Sequence, residues 1–235
     1  MLKRSSRIRR ALLTGAALMA LAGCGVTRVN TQDEVRMGSR TAQAVERQTP
    51  AYNDPVVSRI GLELAAASTR PELPWSFRVL QRPEVNAVSL PGGPIYVFEG
   101  LLTRIGRDEE MLAALLAHEV GHVEGRHHAE QVERQQWYGL GVAVLDRAAG
   151  GDVTALGQVA ANLETLSFGR RQEYDADDRA IRLLRRTGRS ERGLVRLLEM
   201  LHRQGGDSGQ LHWLRTHPTT RARIDRAAEQ IGQSR

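Results

Sequence analysis

The run Met111-Leu-Ala-Ala-Leu-Leu-Ala-His118-Glu119-Val-Gly-His122 sets two histidines and a glutamate inside an otherwise apolar stretch. Its spacing is a geometric instruction. An α-helix turns every ~3.6 residues and rises about 5.4 Å per turn, so His118 and His122 share one face, roughly 6 Å apart along the axis. Two imidazoles so placed can both reach one Zn²⁺ at about 2.0–2.1 Å. Glu119 follows the first histidine directly, where it can address a water on that metal. The chain is thereby tied to a helix over residues 109–124, capped by Asp108, and to a third metal ligand from elsewhere.

That ligand is sought downstream. In Arg170-Arg-Gln-Glu173-Tyr-Asp-Ala-Asp177, Glu173 and Asp177 again stand at i and i+4, and Ala180, Ile181 and Leu184 continue the same face as an apolar stripe. Glu173 could bind zinc while Asp177 hydrogen-bonds the far nitrogen of a ligand histidine and fixes its tautomer. A solvated charged helix accounts equally well for Asp175, Asp178 and the arginines, so the residues alone leave both readings open.

The net charge of +6 invites a nucleic-acid reading, which its distribution argues against. Lys3, Arg4, Arg7, Arg9 and Arg10 fall in the first 23 residues, which hold no acid. Without these five, 28 basic residues face 27 acidic ones, and no nucleic-acid partner is expected. The basic start leads into the apolar stretch Ala11–Ala22, too short to span roughly 30 Å of hydrocarbon, and reads as a secretory signal over residues 1–23. Leu21-Ala22-Gly23-Cys24 resembles the lipobox of bacterial lipoproteins, in which the cysteine becomes the lipid-bearing N-terminus. A plain signal peptide with a chance cysteine is the alternative. Cys24 is the only cysteine, so no intramolecular disulfide is available. Gly25, where an aspartate would favour the inner membrane, resembles the pattern for outer-membrane sorting.

Residues 24–32 then form a lipidated tether and residues 33–235 one domain. Helices are expected at 33–48 and 55–68, the second with Val56, Ile60 and Leu64 on one stripe. Residues 75–80, 85–90 and 95–98 read as three short strands, the last two joined by the turn Pro91-Gly-Gly-Pro94. Mostly helical sequence follows, at 99–105, 109–124, 129–148, 153–166, 170–187, 191–204 and 218–232, with Pro218 opening the last helix.

Four stretches, in order, carry a family resemblance: Asn86-Ala-Val-Ser-Leu-Pro-Gly-Gly-Pro-Ile-Tyr-Val-Phe-Glu-Gly-Leu-Leu102, Leu115-Leu-Ala-His-Glu-Val-Gly-His122, Ser167-Phe-Gly-Arg-Arg-Gln-Glu-Tyr-Asp-Ala-Asp177 and Thr216-His-Pro-Thr-Thr-Arg-Ala-Arg-Ile224. Over roughly residues 33–232 the chain resembles zinc metallopeptidase family forty-eight, which includes CAAX prenyl proteases, HtpX and the mitochondrial Oma proteases. Most similar are its short periplasmic lipoprotein members. The resemblance implies His118, His122 and Glu173 as ligands of one Zn²⁺ per chain and Glu119 as the general base. Ala180 stands where the family often has glycine, a departure that leaves the ligand assignment standing.

The expected fold is α+β, mainly α: a gluzincin-type metalloprotease domain, helical with a small three-stranded sheet. Acyl-carbonyl hydrolysis needs a donor for the developing oxyanion, and His217 and Arg223 are candidates. His217 could instead occupy the zinc's open position and hold the enzyme inactive, or merely start the last helix. Arg223 could instead support Glu173. Asn86, Ala87, Val88 and Ser89 could pair with an extended substrate, or form an ordinary strand. His127 and His128, past the end of the 109–124 helix, could form a solvated cluster or line the rim of the cleft, and Trp137, Tyr138 and Trp213 are read as packing.

These residues point to a zinc-dependent endopeptidase on the periplasmic side of the outer membrane, lipid-anchored through Cys24. By the resemblance to the periplasmic members, its polypeptide substrates would be misfolded or stalled envelope proteins. The alternatives are a chaperone-like lipoprotein of the outer-membrane assembly machinery with a latched or structural zinc, and a structural lipoprotein with a vestigial motif.

Overall fold

The computed structural model describes residues 28–106, 108–137, 168–204, 213–218 and 220–232. Helix α1 (Thr31–Gln48) starts two residues before its expected position, because Asn30 rather than the Asp33–Glu34 pair sets its end. The Asn30 side chain accepts from Asp33 N–H at 2.9 Å, and the Asp33 carboxylate accepts from Asn30 N–H at 3.3 Å. The end of the expected tether therefore belongs to the fold. Val29 is buried, its N–H donates to Glu133 at 3.0 Å, and its carbonyl accepts from Arg126. The boundary at residue 24 and Cys24 itself lie outside the described residues.

Strand β1 (Ala51–Tyr52), helix α2 (Pro55–Ala66), strands β2 (Ser76–Leu80), β3 (Ala87–Ser89) and β4 (Pro94–Phe98), and helix α3 (Glu99–Ile105) follow. The sheet has four strands in the order β1-β2-β4-β3, one more than expected. The addition is β1, whose two residues are too few to show alternation. It pairs antiparallel with β2, Ala51 opposite Leu80. β2 and β4 run parallel, Phe77 opposite Ile95. β3 lies antiparallel outside β4 as the sheet's edge, Val88 opposite Tyr96.

Helix α4 (Glu109–Glu124) carries the two-histidine motif and is the axle of the domain. The Asp108 carboxylate accepts from Met111 N–H at 2.9 Å and caps it. Every residue from Leu112 to Glu124 is buried, as an all-round apolar helix requires. Around it lie α2, β3, α5 (His127–Trp137), α6 (Arg170–Arg186) and α7 (Arg192–Gln204). The stripe on α2 packs there as expected, with Ile60 and Leu64 fully buried and Val56 at its margin. Full burial of a leucine or isoleucine contributes about 1.5–3 kcal/mol. α4 and α6 meet at Gly121, where a Cβ would stand 2.8 Å from the Ala176 carbonyl oxygen. Only a hydrogen atom fits between the two helices there.

The short α8 (Trp213–Thr216) and α9 (Arg221–Gly232) complete the described elements. α9 begins at Arg221 rather than Pro218. The reason is Thr220, whose carbonyl and Oγ1 both accept from Arg223 N–H, at 3.0 and 3.3 Å. The expected helix at 153–166, and the end of that at 129–148, fall outside the described residues. Among the described residues no helix is long and apolar enough to cross a membrane.

An ion cluster around the buried Glu34 ties α1 to the end of α4. Glu34 accepts from Arg70 Nη1 at 2.8 Å and Arg126 Nε at 2.6 Å. Arg126 sits at φ 58°, a left-handed conformation that disfavours side chains and costs on the order of 1–3 kcal/mol. It turns the chain from α4 into α5 and sends its guanidinium back to Glu34.

Candidate metal centre

His118 and His122 leave one face of α4, Glu173 leaves the first turn of α6, and His217 follows α8. All four are buried, and one donor atom from each lies within 4.8 Å of every other. The individual separations are tighter. His118 Nε2 stands 3.1 Å from His122 Nε2 and 3.3 Å from His217 Nδ1. Glu173 Oε1 stands 3.0 Å from His217 Nδ1 and 3.4 Å from His122 Nε2, and Glu173 Oε2 is 3.6 Å from His118 Nε2. Four ligands on a tetrahedral ion at bonds of about 2.0–2.1 Å lie roughly 3.3–3.4 Å apart. Five of the six pairs among these residues thus stand at 3.0–3.6 Å, close to the edges of a zinc tetrahedron, and His217 is placed where the fourth ligand would sit.

Glu119 supports the fit. Its carboxylate is fully buried, yet neither oxygen has a hydrogen-bond partner among the described residues. The nearest cationic candidate is His217, whose Nε2 lies 3.7 Å from Oε1. A carboxylate without partners in the interior is costly unless a ligand or water completes it. Three imidazole nitrogens and a carboxylate are a donor set that suits Zn²⁺. The residues present fit the ion.

Asp177 lies where the i, i+4 spacing puts it, one turn beyond Glu173, with Oδ1 at 2.9 Å from His118 Nδ1. Arg223 of α9 clamps both acids. It donates to Asp177 through Nε and Nη2, each at 2.8 Å, and to Glu173 through Nη1, which also reaches the Pro218 carbonyl at 3.2 Å. Four of its N–H groups are thus committed to support. This is the geometry of the alternative role, support for Glu173.

The electrostatics of the polypeptide follow from this packing. Burial alone would raise Glu173, but the charges of His217 and Arg223, with hydrogen bonds to His122 and His217, hold it well below the usual carboxylate range. Asp177 is lowered in the same way, burial being outweighed by Arg223 and His118. Burial pushes His122 well below the ordinary imidazole value, and Glu173 only partly opposes it. His217 is raised because Glu173 and Glu119 overcome burial. Ionised carboxylates and a neutral His122 are the protonation states that metal binding requires, whereas His217, held towards its protonated form, would have to give up that proton to ligate.

Aromatic walls hold the histidines. Trp213 stacks on His217 at 4.1 Å between centroids, and Phe168 stacks on His122 at 3.9 Å. The Phe168 N–H donates to the Thr216 carbonyl at 3.0 Å, so the chain entering α6 is fastened to the chain bearing His217. Sequence reasoning assigned Trp213 to packing and overlooked Phe168, which lies inside the third motif. It offered His127 as a solvated or rim residue, whereas the residue is buried with Nδ1 at 3.0 Å from His122 Nδ1. The available signal was its position just past the end of the metal helix.

Asn86 to Ser89 lie beside α4, three of them forming the edge strand. All four are buried. Asn86 Oδ1 accepts from Ala87 N–H at 3.0 Å, while its Nδ2 has no partner among the described residues. Ser89 Oγ is 3.2 Å from Nε2 of His128, which burial lowers to a pKa of about 3.

Residues 51–231 match Peptidase family M48. The chain is 30% identical over 217 residues to the beta-barrel assembly-enhancing protease of Escherichia coli, a match covering 86% of this chain and 44% of that protein. It is 30% identical over 196 residues to the mitochondrial metalloendopeptidase OMA1 of Schizosaccharomyces pombe, covering 80% of this chain and 57% of that one. With the metalloprotease LoiP of Escherichia coli the identity is 34% over 136 residues, 54% of this chain and 52% of that one. The chain thus spans about half the length of the curated relatives it matches. With a family match over most of its length and a buried zinc-shaped donor set at the motif, the chain belongs to peptidase family M48.

Proposed function

We propose that this protein is a zinc-dependent endopeptidase whose ligands are His118, His122 and Glu173 and whose general base is Glu119. The observation that carries the reading is the buried, unpartnered Glu119 carboxylate beside a donor set of tetrahedral dimensions. When bound, zinc supplies Lewis-acid chemistry: it makes water a nucleophile near neutral pH and polarises a peptide carbonyl. Glu119 accepts the proton of the attacking water and passes it to the leaving amine. Asp177 orients His118, and Arg223 keeps Asp177 and Glu173 ionised and in place. The edge strand β3, from Ala87 to Ser89, together with Asn86, guides an extended substrate backbone, which gives affinity without strict sequence demand.

His217 would take the fourth position on a bound ion. A catalytic zinc keeps one position open, whereas a closed tetrahedron is the mark of a resting or structural site. In this reading the imidazole is a latch that leaves when substrate enters.

The proposed setting is the periplasmic side of the outer membrane, with a lipid at Cys24 and misfolded or stalled envelope proteins as substrates. The lipobox at Leu21–Cys24 and the similarity to a protease named for beta-barrel assembly support it. The similarity favours one second reading, a chaperone-like assembly lipoprotein whose zinc stays latched.

The test uses the chain from residue 25 onward, loaded with zinc and given casein. The parental protein should cleave, and Glu119→Gln should bind zinc equally well and cleave at least about 100-fold more slowly. Equal cleavage by both removes Glu119 as the base. No cleavage by either, with zinc bound, favours the latched reading.

A further inference from the structure

We propose that His127 and Asp175 are a positioning pair that orients His122 for zinc, parallel to the support that Asp177 and Arg223 give His118. The inference rests on the reading of His122 as a ligand. If Nε2 of His122 faces the ion, its Nδ1 must carry the proton. That Nδ1 lies 3.0 Å from Nδ1 of His127, which must then accept. A neutral His127 that accepts at Nδ1 carries its own proton on Nε2. Nε2 lies 3.1 Å from Asp175 Oδ2, and that oxygen also accepts from Arg179 Nε. Each step fixes the next. The chain of bonds runs from His122 through His127 to an ionised carboxylate and a guanidinium, with no group asked to donate and accept at the same atom.

An independent feature shows that room is kept for the pair. Gly125 ends α4, and a Cβ there would stand 2.6 Å from His127 Nε2 and 2.9 Å from Asp175 Oδ2. Its φ is −73°, which any residue adopts, so the backbone does not demand glycine. A side chain there would instead push into the His127–Asp175 bond.

The symmetry is functional in kind. α6 provides Glu173 to the ion, Asp177 to the far side of one ligand histidine, and Asp175, through His127, to the far side of the other. One helix therefore faces the far nitrogen of both histidines on α4, His118 directly and His122 through His127.

The experiment measures zinc affinity by chelator competition, with the melting temperature of the chelated protein alongside. His127→Leu should weaken zinc about 10–100-fold, and Asp175→Asn, at a half-exposed site, about three- to tenfold. The double variant should bind no more weakly than His127→Leu, because the carboxylate acts only through the imidazole. Purely structural roles would lower the chelated melting temperature without this non-additivity. Affinity within about twofold of the parent in a folded His127→Leu overturns the proposal, as do losses that multiply in the double variant. Should His127→Leu fail to fold, unchanged affinity in Asp175→Asn overturns it. His122→Ala is run beside them: if it keeps zinc at parental affinity, the ligand assignment has failed and the relay has nothing to orient.

Discussion

Gly121→Ala tests whether the spacing of α4 and α6 sets the metal site. The added methyl would stand 2.8 Å from the Ala176 carbonyl oxygen, 3.2 Å from Ala176 Cα and 3.3 Å from Arg179 Cβ. Ordinary contact begins near 3.4 Å, so the two backbones must part by about 0.6 Å. The two nearest are backbone atoms and the third is a Cβ fixed to the backbone, so none can swing aside as a long side chain would. Overpacking of this kind costs about 1–3 kcal/mol, and the better helix propensity of alanine returns roughly 0.8–1 kcal/mol. The net loss of about 0–2 kcal/mol lowers the melting temperature of the chelated protein by about 0–8 °C. Zinc feels the change more. Gly121 adjoins His122, and Ala176 adjoins Asp177 one turn from Glu173, so a shift of this size exceeds the ~0.2 Å latitude of metal–ligand distances. The expected outcome is zinc binding weakened at least about tenfold, read by chelator competition, with modest loss of chelated stability. Parental zinc affinity in Gly121→Ala would refute the claim that this contact sets ligand geometry.

Other outcomes follow from the same structure. His217→Ala should weaken zinc yet raise casein cleavage, since it opens the fourth corner; lost cleavage with zinc retained would instead make His217 a required donor. Glu34→Gln leaves two arginines around a neutral amide, so thermal unfolding should show a loss of about 3 kcal/mol, or roughly 6–12 °C; a shift below about 2 °C would contradict the importance of that cluster. His128 titrates at about 3 in the folded state because of burial, below its ordinary value of 6.5. The unfolded chain therefore binds a proton that the folded one refuses, and stability falls as pH drops from about 6.5 towards 3. His128→Gln should show a shallower decline over that window in denaturant midpoints of chelated protein, and identical slopes would remove His128 as a cause.

What could be read from the sequence follows the range of each interaction. The helix at 109–124 and the i, i+4 pairs at His118/His122 and Glu173/Asp177 are local, and their spacing alone places them on shared faces. Their convergence is not local. Neither the approach of α6 to α4 at Gly121 nor the arrival of His217 beside Glu173 leaves a periodic trace, and the family resemblance was needed to connect them. β1 was missed because two residues carry no pattern, and its pairing with β2 depends on the fold around it. Arg223 was read first as a donor to substrate, since nothing in its own sequence neighbourhood reveals the two carboxylates that occupy it. His127 was visible as a histidine past a helix end, but its partners lie five residues back and 48 residues ahead.

The central claim is that this buried quartet is a zinc centre, and X-ray absorption at the zinc edge tests it most directly. For protein loaded with one zinc per chain, the account expects a four-coordinate shell at about 2.0–2.1 Å, with three imidazoles and one carboxylate oxygen. His217→Ala should reduce the imidazole count to two. A shell with fewer than two imidazoles in the parental protein, or one unchanged by His118→Ala, would contradict it.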